Sequence, residues 1–458
     1  MTVATTDASC VGTGLRLGVL RAAHAGQLLR IAWRDTLELL VRMAAVDGDA
    51  VEARVGPRRV LLLQSPRLIA PLLAYGGEAL TKERALRLGR FMLGDGLVTS
   101  EGALHRRQRR LILPVFHRAA IERVATTIVE EANACAGRWA AQPSIDLHAE
   151  MADVTLRIVG RAMFGTTLGD DAGRIGRAVS DAARLFDRHR SPLAEILNRL
   201  PLPVTIRARR ARAVIDDVAA RMVAARKLDS ARPPDLLTLL LEARDADTGE
   251  PLSGRQLRDE IVTILLTGHE TTAVALTWAW HLIAGHREVE LRLHDEVDTV
   301  LADGRVEFGD LAALTYTRQV VSEAMRLYPP VWAFSRQARA DVVVGELSIA
   351  RGTTVIICPY TLHRDERWWS DPARFDPDRF ASGVPAPTPF TYLPFSGGPR
   401  GCIGEHLAWT ECVLVLAILA RRWRLCPIET GADPVAPHAG ITMRPDRPIP
   451  MRLMARGP

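Results

Sequence analysis

Residues 395–404 read Phe-Ser-Gly-Gly-Pro-Arg-Gly-Cys-Ile-Gly, and this stretch restricts the fold more than any other part of the chain. The fixed positions of its pattern, F-x-x-G-x-R-x-C-x-G, are Phe395, Gly398, Arg400, Cys402 and Gly404. At average amino-acid frequencies, a chance match in a chain of this length is on the order of one in ten thousand. The glycines allow a tight turn beneath a flat ligand, and a helix predicted just after Cys402 favours the thiolate. The pattern therefore predicts a metal-binding cysteine.

The alternative interpretation of Cys402 is a buried free thiol in a Gly-Pro turn, which is a common state of an isolated cysteine. The segment, however, resembles the haem-binding signature of the cytochrome P-450 family at every fixed position. This resemblance implies that Cys402 is the axial ligand of the iron in haem b. It also assigns to the haem site the other fixed positions, which are Phe395, Gly398, Arg400 and Gly404. The cysteines without such a context are expected to be core or surface thiols: Cys10, Cys135, Cys358, Cys412 and Cys426.

A second motif lies midway along the longest predicted helix, where residues 267–272 read Thr-Gly-His-Glu-Thr-Thr. Gly268 weakens the helix and the paired threonines can donate to carbonyls of the preceding turn, so a locally widened helix is expected. Alone, this pattern is more often a kinked core helix. Together with Cys402 it resembles the oxygen-activating motif of the same family. The resemblance implies that Glu270 and Thr271 are catalytic and relay protons to dioxygen.

A buried charged cluster is predicted beneath the haem loop. Glu323 and Arg326 lie three residues apart on one predicted helix face, and such a pair is often a surface ion pair of little energetic value. The resemblance adds Arg379, from the run Pro-Asp-Arg-Phe at 377–380, and implies a Glu-Arg-Arg cluster. Arginine suits this role because its planar fork binds carboxylates in a bidentate manner. We expect the cluster to support folding and haem retention rather than catalysis.

The two propionates of a haem need several cations around them. Residues 105–110, His-Arg-Arg-Gln-Arg-Arg, resemble the haem-contacting helix of the family, with histidine in the place of tryptophan. The resemblance implies that His105 and Arg109 bind the haem, while the other arginines of this helix face solvent. It assigns the same role to Arg336 and Arg400.

The periodicity of apolar residues predicts a chain that is mainly α with a smaller β-rich portion. Helices are expected over most of 104–241, over 253–285, 288–302 and 316–327, and from just after residue 402 to about 423. Hairpins are expected at 51–64 and 441–454. The resemblance implies the cytochrome P-450 fold, with the haem between the long central helix and the cysteine-loop helix. We expect one domain over 1–458, consisting of an N-terminal helical segment at 1–50 and a core at 51–458.

Composition argues against several classes of protein. The net charge is +6, but all except two of the 59 basic residues are arginines scattered along the chain, so no nucleic-acid partner is expected. No transmembrane anchor is expected, because charged residues interrupt both the segment 15–33 and the apolar run 261–286. The six cysteines include no C-x-x-C pair and no secretory signal is evident, so we expect a cytoplasmic protein.

The resemblance implies a haem-thiolate monooxygenase that inserts one oxygen atom from O2 into a hydrophobic small molecule. No flavin or iron–sulfur domain is evident, so electrons are expected from a ferredoxin and an NAD(P)H-dependent ferredoxin reductase. The run 94–102, leading into the helix at 105, resembles actinobacterial terpene hydroxylases, which favours a terpenoid over a fatty acid or a polyketide. Largely aliphatic segments are candidates for the substrate pocket, namely 86–98, 185–203, 264–267, 331–334 and 439–441.

Two alternative functions stay open at this point. A haem-thiolate peroxygenase or isomerase would need no proton relay, and a non-enzymatic haem sensor would need neither Glu270 nor Thr271. The acid–alcohol pair favours the monooxygenase. Consumption of NAD(P)H coupled to product formation separates it from both alternatives.

Overall fold

The computed structural model describes residues 15–21, 26–166, 173–178, 200, 202–229, 235–244, 249–302, 304–428 and 434–457. Within these ranges the chain is mainly helical with a smaller β-rich portion, which confirms the predicted fold class. The candidate pocket segment 185–203 lies mostly outside the described residues, and so does Cys10. Among the described helices, none combines the length and apolar character that crossing a membrane requires.

The helices follow the apolar periodicity of the sequence closely. They are α1 (Gln27–Arg34), α2 (Thr36–Ala44), α3 (Pro66–Ala74), α4 (Arg84–Leu93), α5 (Gly102–Ile112), α6 (Arg118–Trp139), α7 (Leu147–Phe164), α8 (Pro203–Leu228), α9 (Leu236–Glu242), α10 (Gly254–Gly285), α11 (Arg287–Val300), α12 (Thr315–Leu327), α13 (Pro359–Leu362) and α14 (Glu405–Arg422). Residues 173–178 are also helical. Short 3₁₀ helices cover Leu113–Phe116, Phe308–Ala312, Pro377–Phe380 and Gly398–Arg400.

Helix α10 is the long central helix predicted at 253–285. The hydroxyl of Ser253 accepts the N–H of Gln256, whose side chain accepts the N–H of Ser253 in return, and this capping box fixes the start of the helix. α10 packs against α7, α12 and α14 and is buried along most of its length. Thr267 is nevertheless exposed in its middle. The side chain of Thr267 therefore faces space that the neighbouring elements leave open.

A six-stranded sheet has the strand order β1-β2-β3-β9-β6-β4. Its strands are β1 (Leu17–Leu20), β2 (Ala50–Val55), β3 (Arg58–Leu63), β4 (Leu80–Lys82), β6 (Phe334–Ala338) and β9 (Thr354–Ile357). β2 and β3 form the first predicted hairpin. The segment 1–50, expected to be helical, contains α1 and α2 but also β1, which pairs in parallel with β2. Alternate burial along β1 spans only four residues, too few to be recognised as a strand from the sequence.

Smaller sheets complete the β-rich portion of the described structure. Their strands are β5 (Ser144–Asp146), β7 (Val342–Val344), β8 (Leu347–Ile349), β10 (Trp423–Pro427), β11 (Pro437–Ala439), β12 (Met443–Pro445) and β13 (Pro450–Ala455). The predicted hairpin at 441–454 is wrong, because β12 pairs with β11 whereas β13 pairs with β10 and β5. Alternation of apolar and polar residues identifies a strand but not its partner.

Glu323 and Arg326 form a fully buried ion pair on α12. The Nε and Nη2 atoms of Arg326 each donate to a different oxygen of Glu323 at 2.7 Å. Further N–H groups of Arg326 donate to the backbone carbonyls of residues 363, 372 and 374. Arg379 reaches Glu323 Oε1 at 3.3 Å, so the Glu-Arg-Arg cluster forms. The cluster ties α12 to the irregular chain at 363–379.

His363 extends this cluster toward the cysteine loop, although no sequence motif points to it. The N–H of Leu393 donates to His363 Nε2 at 2.8 Å, and His363 Nδ1 lies 3.3 Å from the carbonyl oxygen of Arg326. Burial, together with the neighbouring Arg326, lowers the pKa of His363 to about 3. The ring is therefore neutral, with one nitrogen accepting and the other available to donate. It joins α12 to the residues just before the cysteine loop.

Candidate active site

Cys402 lies in a tight loop between the 3₁₀ turn at 398–400 and helix α14. Its amide donates to the carbonyl of Phe395 at 3.0 Å, and the residue is exposed. Gly398 has φ +67°, and a Cβ at this position would lie 2.1 Å from the carbonyl oxygen of Leu73. Only glycine fits there, because a side chain would clash with backbone. The loop thus packs its backbone against the end of α3 and presents the thiol.

Two other fixed positions of the motif, Gly404 and Phe395, connect the loop to helix α14. Gly404 is the N-cap of this helix, so the helix begins where the sequence predicts. The ring of Phe395 packs against Trp409 with a centroid distance of 5.6 Å. The loop and the first turns of α14 therefore form one packed unit around Cys402.

The start of helix α14 was expected to favour the thiolate of Cys402, but the pKa of this thiol is raised rather than lowered. The residue is accessible, but desolvation by the surrounding protein raises the pKa of its thiol above the ordinary value. The N–H of Gly404 and the charge of Arg109 lower the pKa only in part. A bound metal ion deprotonates a coordinating thiol, so the thiolate depends on the ligand that the loop receives.

Helix α5 brings two of the predicted haem-binding residues to this loop. Arg109 Nη1 donates to the carbonyl oxygen of Gly401 at 2.9 Å and fixes α5 against the loop. His105 lies one turn earlier and is buried. Burial, together with nearby cations such as Lys82 and Arg400, lowers the pKa of His105 to about 4. At neutral pH, His105 is therefore an uncharged imidazole with an N–H to donate.

Lys82 and Glu101 also belong to this cluster, although no sequence motif points to either. Lys82 is buried at the end of β4, paired in register with Arg336 on β6. Its ammonium donates to two backbone carbonyls at 2.8 and 3.1 Å. Glu101 lies 2.5 Å from Arg400 and accepts the backbone N–H of Lys82. The cluster therefore draws its charges from β4, α5, β6 and the cysteine loop.

The charges of this cluster do not balance. Within the described part of the chain, Glu101 is the carboxylate whose charge acts on Lys82 and Arg336, and it also pairs with Arg400. Burial, reinforced by Arg400, lowers the pKa of Lys82 to about 7 and that of Arg336 to about 10. Nη1 of Arg400 is buried without a hydrogen-bond partner in the described part of the chain. A pair of propionates would supply both the missing negative charge and the missing acceptor, so these residues fit a haem.

The threonines of α10 donate back to the preceding turn, as predicted. The hydroxyl-to-carbonyl distances are 2.7 Å from Thr267 to Thr263, 2.9 Å from Thr271 to Thr267 and 3.1 Å from Thr272 to Gly268. The predicted local widening is wrong, because the helix stays α-helical throughout 254–285. A carbonyl oxygen has two lone pairs and accepts the hydroxyl without losing its backbone partner. Gly268 instead lets α7 approach, since a Cβ there would lie 3.2 Å from Val159.

Glu270 is turned toward the hairpin formed by β11 and β12. Its Oε1 atom accepts the hydroxyl of Thr442 at 3.0 Å and lies 3.4 Å from Nε of Arg444. Among the described residues, no hydrogen bond joins Glu270 to the hydroxyl of Thr271. The structure therefore places the acid and the alcohol on adjacent positions of α10 but directs the carboxylate elsewhere.

Comparison with known proteins agrees with this geometry. The family model for cytochrome P-450 matches residues 21–451. Cyclooctatin synthase from Streptomyces melanosporofaciens is 38% identical over 433 residues, which cover 93% of each chain. Cyclooctat-9-en-7-ol 5-monooxygenase from the same organism is 35% identical, with 86% of each chain covered. Pentalenene oxygenase from Streptomyces avermitilis is 34% identical, with 95% of each chain covered.

A mainly helical fold that presents a cysteine loop beside an unbalanced cation cluster is that of a haem-thiolate protein. The chain belongs to the cytochrome P-450 family. It is accordingly a monooxygenase whose cofactor is haem b, and it requires O2, electrons from a redox partner and a hydrophobic substrate.

Arg400→Gln is expected to weaken haem retention by about 10-fold to 100-fold. The substitution removes a cation from the proposed propionate site and leaves Glu101 without its ion-pair partner in the cysteine loop. The rate of haem transfer to an excess of apomyoglobin measures the effect. Arg110→Gln is the matched control, since Arg110 is an exposed arginine on α5. Equal transfer rates for the two variants would remove Arg400 from the haem site.

Proposed function

We propose that this enzyme oxygenates a terpenoid in the cytoplasm as a single domain over 1–458. The observation that carries the substrate class is the similarity, along most of the chain, to enzymes named for the terpenoids cyclooctat-9-en-7-ol and pentalenene. When bound, haem with a thiolate ligand supplies the chemistry that cleaves O2 and transfers one oxygen atom. Cys135, Cys358 and Cys412 are buried free thiols, which supports a reducing compartment.

Apolar side chains at the β11–β12 hairpin support a hydrophobic substrate. The indole N–H of Trp332 donates to the carbonyl of Gly440 at 3.0 Å, and the N–H of Met443 donates to the carbonyl of Pro330 at 3.0 Å. These two bonds hold residues 330–332 beside residues 440–443. Within that pair of segments, Val331 and Ile441 are exposed large aliphatic residues. Neighbouring exposed aliphatic side chains suit an apolar ligand.

The substrate class is tested by titrating the ferric enzyme with terpenoid, fatty-acid and polyketide panels while following the spin state of the haem. A ligand that displaces water from the iron changes this spectrum. We expect terpenoids to bind more tightly than the other two classes. Turnover with NAD(P)H, redox partners and ¹⁸O₂ should then place one labelled atom in the product. Preferential binding of fatty acids, or turnover with peroxide alone, would overturn the proposal.

We assign proton delivery to Glu270 and Thr271. The hydroxyl of Thr271 donates to the carbonyl of Thr267, the exposed residue in the middle of α10, so it lies beside the space that Thr267 faces. The carboxylate of Glu270 on the adjacent position can take a proton from solvent and pass it on. The hydroxyl oxygen of Thr271 accepts this proton while the hydroxyl passes its own proton on, so Thr271 stays neutral.

Thr271→Ala is expected to lower the yield of product per NAD(P)H by about tenfold or more and to raise hydrogen peroxide correspondingly. The reason is that electrons still reach the haem, while the hydroxyl proposed to deliver protons is lost. Thr272→Ala is the matched control, because Thr272 makes the same kind of back-bond but is buried. Parallel assays of NAD(P)H, product and peroxide measure the partition. Coupling that stays at the wild-type level in Thr271→Ala would exclude the hydroxyl from the relay.

We propose a ferredoxin, reduced by an NAD(P)H-dependent reductase, as the electron donor. Arg106 and Arg110 are exposed on α5, the helix that Arg109 fixes to the cysteine loop. Exposed cations near the loop would steer an acidic partner toward the haem.

Reversal of these charges in the Arg106→Glu, Arg110→Glu double variant is expected to slow reduction by a ferredoxin about tenfold at low salt. The difference should shrink as ionic strength rises, because salt screens exposed charges. The matched control is Arg351→Glu, at an exposed arginine outside α5. Stopped-flow reduction under carbon monoxide gives the rate. Identical rates and salt dependence in all three proteins would rule out this docking face.

A further inference from the structure

The carboxylate of Glu270 contacts two residues that lie outside its sequence motif, Thr442 and Arg444. Thr442 donates to its Oε1 atom at 3.0 Å, and Nε of Arg444 lies 3.4 Å from the same oxygen. Thr442 is 3% exposed, and the side chains of Glu270 and Arg444 are 12% and 19% exposed. The ion pair is therefore largely shielded from solvent. Charge–charge interactions are stronger at such a shielded position than on the surface.

The hairpin that carries Thr442 and Arg444 is fixed to α10 and to the chain after α12. The indole N–H of Trp278, two turns after Glu270 on α10, donates to the carbonyl of Met443 at 2.7 Å. The ring of Trp278 stacks on Tyr328 at 3.9 Å. The N–H and the carbonyl of Met443 are thus both bound, since its N–H donates to Pro330. Arg444 is held in place by the backbone on which it sits.

The charges that face Glu270 come from three elements. Burial by itself raises the pKa of Glu270, but Arg444 on β12, His269 on α10 and His148 on α7 oppose it, and the hydroxyl of Thr442 adds to their effect. The net result is a pKa below the ordinary value of a glutamate. Burial lowers the pKa of His269 and of His148, so both rings are neutral near pH 7. Arg444 is then the one full positive charge among these neighbours.

We propose that Arg444 is a positioning residue for oxygen activation: it holds Glu270 ionised and turned away from Thr271 until a proton arrives. This inference rests on the proposed role of Glu270 as the relay acid. A proton from water binds the carboxylate, which neutralises it and weakens its attraction to Arg444. The protonated side chain is then free to turn toward Thr271 and give this proton to the hydroxyl oxygen, while the hydroxyl passes its own proton on. The carboxylate, ionised again, then returns to Arg444. Arg444 itself neither takes nor gives a proton.

The test compares the holoenzymes of the wild type, Arg444→Gln and Arg444→Lys, with Arg452→Gln as the control at an exposed arginine of β13. Loss of one charge-assisted contact is expected to lower product per NAD(P)H by about tenfold. Removing the cation also raises the pKa of Glu270, so the midpoint of coupling against pH should move upward in Arg444→Gln. Arg444→Lys should restore most of the coupling and return the midpoint, while Arg452→Gln should match the wild type.

Glu270→Gln, assayed alongside, separates this inference from the proposed relay. If Glu270→Gln leaves coupling and peroxide unchanged, the relay itself is wrong. If Glu270→Gln uncouples the enzyme but Arg444→Gln keeps the wild-type coupling and pH midpoint, the relay stands and the role of Arg444 is overturned. Should Arg444→Gln fail to bind haem, Thr442→Val removes a single hydrogen bond from the same carboxylate. Thr442→Val is expected to shift the midpoint upward by a smaller amount, and an unchanged midpoint would overturn the inference.

Discussion

Cys402→Ser is expected to abolish oxygenation and to remove the thiolate character of the reduced carbon monoxide spectrum. A serine hydroxyl in this loop is neutral and a weak donor, so the electron donation that a thiolate gives to haem iron is lost. The backbone of the loop should survive, because the bond from residue 402 to Phe395 uses the amide and the turn depends on Gly398. The loss is therefore one of ligation rather than of folding.

The matched control for Cys402→Ser is Cys426→Ser, at a partly exposed free cysteine on β10. This variant should keep both the spectrum and the activity of the wild type. The two measurements are the difference spectrum of the reduced protein with carbon monoxide and product formation with redox partners. A Cys402→Ser protein that retains a thiolate-type spectrum would mean that another cysteine ligates the iron.

Arg326→Leu is expected to destabilise the fold by about 3–5 kcal/mol and to yield little haem-loaded protein. The substitution leaves the fully buried carboxylate of Glu323 with Arg379 at 3.3 Å as its remaining cation. It also removes donors from three buried or partly buried carbonyls at 363, 372 and 374. Both losses are costly, because unpaired polar groups inside a protein keep their full desolvation penalty.

The control for Arg326→Leu is Arg292→Ala, since Arg292 forms an equally well-aligned bidentate pair with Asp378 that is about half exposed. Exposed pairs contribute roughly 0–1 kcal/mol, so this variant should remain close to the wild type. Urea unfolding followed by circular dichroism and by haem absorbance gives both values. Comparable midpoints for the two variants would show that the buried cluster does not hold the structure together.

Local signals explain which elements could be predicted from the sequence. The central helix lies within one residue of the prediction at 253–285, because apolar residues fill its body and make its periodicity easy to recognise. The cysteine loop could be predicted because its glycines and its ligand are adjacent in sequence. Those signals need no knowledge of distant residues.

Contacts between distant residues explain what was missed. Lys82 and Arg400 lie more than 300 positions apart in the chain, and no local pattern indicates that β4 and the cysteine loop meet around Glu101. Arg444 and Glu270 are likewise brought together by the packing of the β11–β12 hairpin against α10. One signal for Lys82 was available, since it is one of two lysines in an arginine-rich chain.

The tethered hairpin has a consequence for engineering this catalyst. Ile441 and Thr442 are consecutive, and the residues on either side of them are both fixed. The carbonyl of Gly440 accepts the indole N–H of Trp332, and the carbonyl of Met443 accepts the indole N–H of Trp278. A library at position 441, chosen to admit bulkier molecules, would therefore also perturb the hydroxyl that holds Glu270. Variants selected there for new selectivity are expected to waste reducing equivalents, and screens that score product alone would not detect that cost.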